Sequence, residues 1–312
     1  MTDIYVGIDV SKDWLDLFDT RTRQGLRAAN QDTAFSALIE RLSDLAPAKI
    51  VLEATGGYEK PIFQALQKAG LSVVRVNPRQ VRYFARALGR LAKTDKLDAQ
   101  LLAEYARLLQ PQERIVRQEE QAALSDWVTR RSQIVGLLGQ EKNRLKQCRN
   151  QALKTMILNS IQALEAQLSC VEGEINRLIA GHASFKALQN VLQEVVGVGP
   201  VISQTLLAEC PELGRVNSKQ IASLAGVAPF SRESGQSKGK PCIWGGRASI
   251  RKVLYMGTVR AVHLPGPLQT FFQRLTEAGK PFKVAIVACM RKLIVHLNAV
   301  TRDYLQATLQ PA

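Results

Sequence analysis

Two short apolar runs, KIVLE at 49–53 and LSVVRV at 71–76, flank a helical pattern that Gly70 stops, and this constrains the fold of the chain most. A strand, a helix and a strand in that order close as neighbours of a sheet with a crossover. An earlier β-rich run, Ile4–Val10, is followed by Trp14–Phe18, which reads as its hairpin partner. Between them and KIVLE lies a helix over Thr33–Leu45, with Phe35, Leu38, Ile39 and Leu42 on one stripe. The first part of the chain is therefore α/β. Asn77-Pro78 opens another helix, because asparagine caps well and proline suits the first turn.

That helix carries Arg79, Arg82, Arg86, Arg90 and Lys93 at steps of three or four, with no acid until Asp95. The stripe is either a solvated face or a surface for phosphate. The whole chain leans the same way: 42 Lys and Arg against 27 Asp and Glu in 312 residues, a net +15. A charge of this sign points to a polyanion, nucleic acid before an anionic membrane. No uncharged apolar run approaches the roughly 18 residues of a membrane span, and no secretory signal opens the chain. The five cysteines are scattered without a CxxC, and the three histidines are isolated. A reducing cytoplasm fits this, and metal chemistry must rest on carboxylates, which suit magnesium or manganese.

Four acids could supply it. Asp9 lies on the first strand, Glu53 closes KIVLE, and Asp95 and Asp98 stand three apart, on one face of a helix. Such a set can hold divalent ions against a phosphodiester. Singly, each has a plainer reading: a turn cap, a strand end, or a helix start with acids favourably placed at its dipole.

From residue 113 to about 180, glycine is rare, proline is absent and charges alternate with aliphatics. Leu124, Leu138 and Leu145 share one heptad register, broken by Arg131, with Val128 and Val135 at the partner position. Ile161, Leu168 and Ile175 interleave with Leu164, Val171 and Leu178. Two long helices follow from this, as a coiled-coil hairpin or dimerisation arm. Beyond them the chain is mostly helical. VVGVGP at 195–200, with Gly197 and Gly199, matches a helix–hairpin–helix turn that holds a DNA phosphate; the plain alternative is an interhelical turn. The polar loop Ser231–Lys252 holds Arg232, Lys238, Lys240, Arg247, Arg251 and Lys252 against one acid, Glu233, and is a second candidate for phosphate.

YVGIDVSKDWLDL, VLEATGGYEKP, KTDKLDAQLLAEYA, VVGVGPVISQTLLAE, LAGVAPFSRESGQSKGK and GGRASIRKVLYM together, in this order and spacing, resemble the DEDD-type insertion-sequence transposases, kin of the Piv DNA invertases. The resemblance covers essentially the whole chain. It implies a RuvC-like (ribonuclease H-like) domain at 1–112 with Asp9, Glu53, Asp95 and Asp98 as a magnesium-binding tetrad. It implies coiled-coil helices at 113–182 that support dimers and tetramers, and a mostly α transposase domain with the helix–hairpin–helix at 183–312. Ser234 is the implied nucleophile, forming a covalent phosphoserine link to DNA, with the two halves of one active site drawn from different protomers. The implied partners are target and donor DNA and a noncoding bridge RNA that pairs with both. The implied location is the cytoplasm, at the nucleoid when acting, with no membrane. On chemistry alone Ser231, Ser237, Tyr58 and Tyr255 rival Ser234, and of these Tyr255 sits in an apolar helical stretch and reads more readily as a core residue. A nuclease using water, or a binding protein without catalysis, is compatible with the residues alone.

Overall fold

A computed structural model describes residues 3–90, 95–112, 119–234 and 237–309, without the side chains of 95, 96, 119, 231–234, 237, 238, 240 and 309. The chain divides into two compact units, Met1–Arg114 and Ile115–Ala312.

The first unit is built on a five-stranded sheet of order β3-β2-β1-β4-β5. β1 (Tyr5–Val10), β2 (Trp14–Asp19) and β3 (Gly25–Ala29) form an antiparallel meander, while β4 (Lys49–Glu53) and β5 (Val73–Val76) run parallel to β1. The hairpin partner at Trp14 is present as expected. β3 (GLRAA) is an edge strand with no β-branched residue, so the strand signal is weak there. Strand alternation sends Val6, Ile8, Val10, Ile50 and Leu52 to one side, where α1 (Asp32–Leu45) and α2 (Lys60–Lys68) cover them. Tyr5 and Val51 face the other side and meet α3 (Pro78–Ala87) and α4 (Asp95–Leu109). Asn77 caps α3 as its sequence predicts, its side chain accepting from the amide of Arg79.

The second unit is mostly helical. α5 (Glu119–Gln147) and α6 (Gln151–Gly181) form a helical hairpin. Leu124, Val128, Leu138, Ile161, Val171 and Ile175 are buried, as the heptads require, and Leu207 and Ala208 of α8 (Pro200–Glu209) belong to the same core. The hairpin thus shares a core with the helices that follow it. Val135 is a correction: it is 37% exposed, and its neighbour Ile134 is the buried residue. α5 packs on both α6 and α8, so its buried set is not a single seam.

α7 (Ala183–Gln193), α8, α9 (Ser218–Leu224), α10 (Ala248–Ala261), α11 (Pro267–Glu277) and α12 (Phe282–Leu309) pack around a second core that includes Ile202, Leu206, Ile250, Leu254, Ile286 and Leu293. By length and composition α12 is apolar enough to cross a membrane. Half of that stretch is buried inside the unit, which accounts for its apolar character. Tyr255 is a second correction: it lies 38% exposed, outside the core. Between α9 and α10 rises a two-stranded ribbon, β6 (Pro229–Ser234) and β7 (Ser237–Ile243).

Candidate active site

Asp9 and Glu53 each follow the last pair of the parallel β1–β4 ladder, Ile8 with Leu52, so they stand side by side at the strand ends. Period-2 alternation puts Asp9 on the side of Gly7 and Glu53 on the side of Val51. This is the side that α4 covers. Gly7 sets how close α4 comes. A Cβ there would fall on the carbonyl oxygen of Ala99 and the amide of Ala103, and 2.8 Å from Leu102 Cβ. Any side chain would lift the helix off the strand. The helix runs antiparallel to β1, because Gln110, just past its C-terminal end, donates to the Tyr5 hydroxyl at 3.2 Å. Its first turn, with Asp95 and Asp98, therefore reaches toward the Asp9 end of the strand. Asp98 is half-buried, like Asp9 and Glu53.

Supporting groups surround these acids, and sequence reasoning missed them. Asp16 pairs across the ladder with Asp9, and Arg27 holds Asp16 with two hydrogen bonds of 2.8 Å. That fork neutralises Asp16, which would otherwise add a further negative charge opposite Asp9. Glu59 is buried; it accepts from the amides of Thr55 (3.0 Å) and Gly57 (2.9 Å) and from Arg75 (3.0 Å). It shapes the loop that follows Glu53. Asn30 Nδ2 donates to the carbonyls of Ser11 (2.9 Å) and Tyr58 (3.1 Å), tying the turn after β1 to that loop. A glycine inside a strand is the signal that could have found Gly7.

The donor set suits a hard divalent cation, since all its members are carboxylates. Among the described residues no group of three or more acidic, His or Cys side chains is drawn tightly enough to be a formed metal cluster. The Asp95 side chain lies outside the described residues. The Gly7 cradle is the feature that fits a shared site, because it lets two strand ends and a helix start converge.

Arg79, Arg82 and Arg86 lie exposed on α3, away from buried Val81, and make no ion pair among the described residues. Arg90 is a correction: expected on the same helix, it lies beyond the helix end at Ala87, exposed and bonded to Glu104. Lys93 lies outside the described residues.

In the second unit, Ser234 pairs with Ser237 as the last rung of the ribbon before Gly235-Gln236; its side chain and those of Lys238 and Lys240 are outside the described residues. The foot of the ribbon is held firmly. Arg247 grips buried Glu212 with two hydrogen bonds of 2.7 and 2.6 Å, and Arg251 donates to the Gly245 carbonyl at 2.6 Å. A Cβ on Gly246 would strike the backbone of Gly226 and lie 2.9 Å from the Leu224 carbonyl. Arg247, expected at a phosphate, is paired with Glu212 here and braces the foot of the ribbon. Burial pushes the neighbouring Cys210 thiol up to about 12, against the lowering effect of Arg247, so it stays protonated and inert at neutral pH.

Gly197, with φ +90°, joins α7 to α8; a Cβ there would strike Ala261. Gly199 caps α8. The turn opens on a groove of about 660 Å³ that Lys252, Met256 and Arg260 also line. Of the two glycines, Gly197 is fixed by packing against α10, and Gly199 stands at the helix start where an anion is favoured.

Two family models match the chain. One, a DEDD transposase model described as "Transposase", spans residues 6–153. The other, "Transposase IS116/IS110/IS902 family", spans residues 189–273. The chain belongs to the IS110-type DEDD transposases. The pilin gene-inverting proteins of Moraxella lacunata and Moraxella bovis are each 27% identical to it over 313 residues, 97% of either chain. A 44.8 kDa protein of insertion element IS116 from Streptomyces clavuligerus is 28% identical over 117 residues, 36% of this chain and 29% of that protein. Membership in this family implies DNA as substrate and an enzyme that cleaves and rejoins it.

Proposed function

We propose that the chain is the recombinase of an insertion sequence, cutting and rejoining DNA through a covalent phosphoserine at Ser234, guided to target and donor DNA by a noncoding bridge RNA. The first unit acts as a RuvC-like domain. The observation that carries this reading is the cradle at Gly7, which turns the first turn of α4 toward the strand ends that bear Asp9 and Glu53. The strand order, three antiparallel strands followed by two parallel ones, suits a ribonuclease H-like sheet. Asp9, Glu53, Asp95 and Asp98 would hold magnesium or manganese, which when bound supplies charge stabilisation for the oxygens of a phosphodiester. The helix–hairpin–helix at Gly197–Gly199 and the arginines of α3 would grip phosphates on either side of the reacting one.

In the reaction, a bond forms between Ser234 Oγ and phosphorus as the bond to a sugar oxygen breaks. The serine proton is lost and the departing oxygen gains one. Resealing reverses this with a hydroxyl of a new strand. The phosphate energy is conserved in the serine ester, so no external energy source is needed. Dimers or tetramers, joined through α5 and α6, would supply the acidic and serine halves from different protomers.

DNA inversion is the second reading, favoured by the two pilin gene-inverting relatives, which match over nearly their full length. The chemistry is the same; only the arrangement of the two DNA sites differs.

Ser234→Ala should abolish covalent protein–DNA adducts on denaturing gels while RNA binding remains. Adducts that persist at wild-type level, or that map to Tyr58 or Tyr255 by peptide sequencing, sink the serine mechanism.

A further inference from the structure

The ribbon that carries Ser234 displays one large aromatic ring, Phe230, and a second, Trp244, directly follows its last strand. Phe230 is 45% exposed and Trp244 is 53% exposed. Phe230 pairs with Cys242 across the ribbon, and Trp244 stands two residues beyond Cys242. Both rings therefore stand at the foot of the ribbon. Among the described residues neither ring makes a ring contact or a cation–π contact.

We propose that the β6–β7 ribbon is a stacking arm for unpaired DNA bases, with Phe230 and Trp244 as its platforms. This deepens the reading of Ser234 as the nucleophile and rests on it only for the purpose of the arm. Charge identifies the occupant as a polyanion. Arg232, Lys238, Lys240, Arg251 and Lys252 lie in or next to the ribbon, Glu233 is its one acid, and Arg247 is neutralised by Glu212. The chemistry of the rings selects bases over a duplex groove. A phenyl ring offers no hydrogen bond to a base edge, whereas every base has a face on which an aromatic ring can stack. The rigid foot adds to this. With Gly226 against Gly246 and Arg251 on Gly245, the rings are presented with little ordering left to do. Phe230 lies four residues along β6 from Ser234, about 13 Å at the strand rise. Bases held there would belong to the strand that approaches the serine.

The test uses the full chain carrying Ser234→Ala, so that no strand is cut, and fluorescence anisotropy of a short labelled oligonucleotide, unpaired or annealed to its complement. Trp244→Ala and Phe230→Ala should each weaken binding of the unpaired strand about tenfold. Duplex affinity should hardly change, and Trp244→Phe should restore most of the loss. Unchanged affinity for the unpaired strand overturns the proposal. So does an equal loss on duplex and unpaired DNA that Trp244→Phe fails to restore, which would mark a purely structural role. Failure of the serine reading is seen separately, as covalent adducts formed by the Ser234→Ala protein.

Discussion

At the scale of single residues, Gly7 decides whether the acids can meet. Its missing side chain is filled by the backbone of α4 at Ala99 and Ala103, not by the flexible end of a neighbour. Backbone cannot step aside as a side chain can. Gly7→Ala should therefore lower stability by about 1–3 kcal/mol, the usual range for overpacking. It should also abolish strand cleavage, because the first turn of α4 is displaced from Asp9. Thermal melting and cleavage assays read the two effects. Full activity in a folded Gly7→Ala protein would mean that the α4 acids are not part of the site. Glu59 acts at the same scale by another route. Its two amide bonds and its pairing with Arg75 set the path of the chain after Glu53. A carboxylate buried with three donors is stable there because each lone pair direction it uses is satisfied.

At the scale of elements, α5 shows where hydrophobic spacing decides and where it does not. Ile134 is fully buried and Val135 is 37% exposed. Ile134→Ala should cost about 2–5 kcal/mol and Val135→Ala less than about 0.5 kcal/mol in urea unfolding. A comparable cost at Val135 would show that its face is covered by a second chain. The heptads of α6 were legible because its main contact is one seam along α5. Those of α5 were only partly so, since α8 claims a second face. The same contrast holds elsewhere. Strands β1, β4 and β5 and the start of α3 announce themselves through local signals: β-branched runs, and Asn-Pro at a cap. β3 does not, because pairing with β2 rather than its own composition makes it a strand. At the site, Asp9, Glu53, Asp95 and Asp98 could be picked out as residue types at telling positions. The roles of Glu59 and Asp16 could not, as they depend on partners that only folding gathers. The pairing of Arg247 is hidden for the same reason: Glu212, 35 residues away, takes both of its forks.

At the scale of the whole molecule, the positive charge is unevenly spread. Residues 115–312 hold 25 Lys and Arg against 13 Asp and Glu, whereas residues 1–114 hold 17 against 14. The second unit is basic throughout, so its attraction for DNA is long-range and general. The first unit is nearly balanced, and four of its acids are the candidate tetrad. Repulsion between those acids and a phosphodiester must be offset locally, and the exposed arginines of α3 are placed in sequence to do so. Charge that contacts phosphate differs from charge that only decorates a surface in one measurable way. Each phosphate contact releases counterions, so each contributes about 0.9 to the slope of log affinity against log salt. Replacing Arg79, Arg82 and Arg86 together by Gln in the full chain should make that slope shallower by about 2.7, equally for unrelated DNA sequences. Arg90→Gln should change it less, because Glu104 already neutralises Arg90. An unchanged slope in the triple variant would mean that the stripe is a solvated face, and that the second unit alone carries the binding of the DNA backbone.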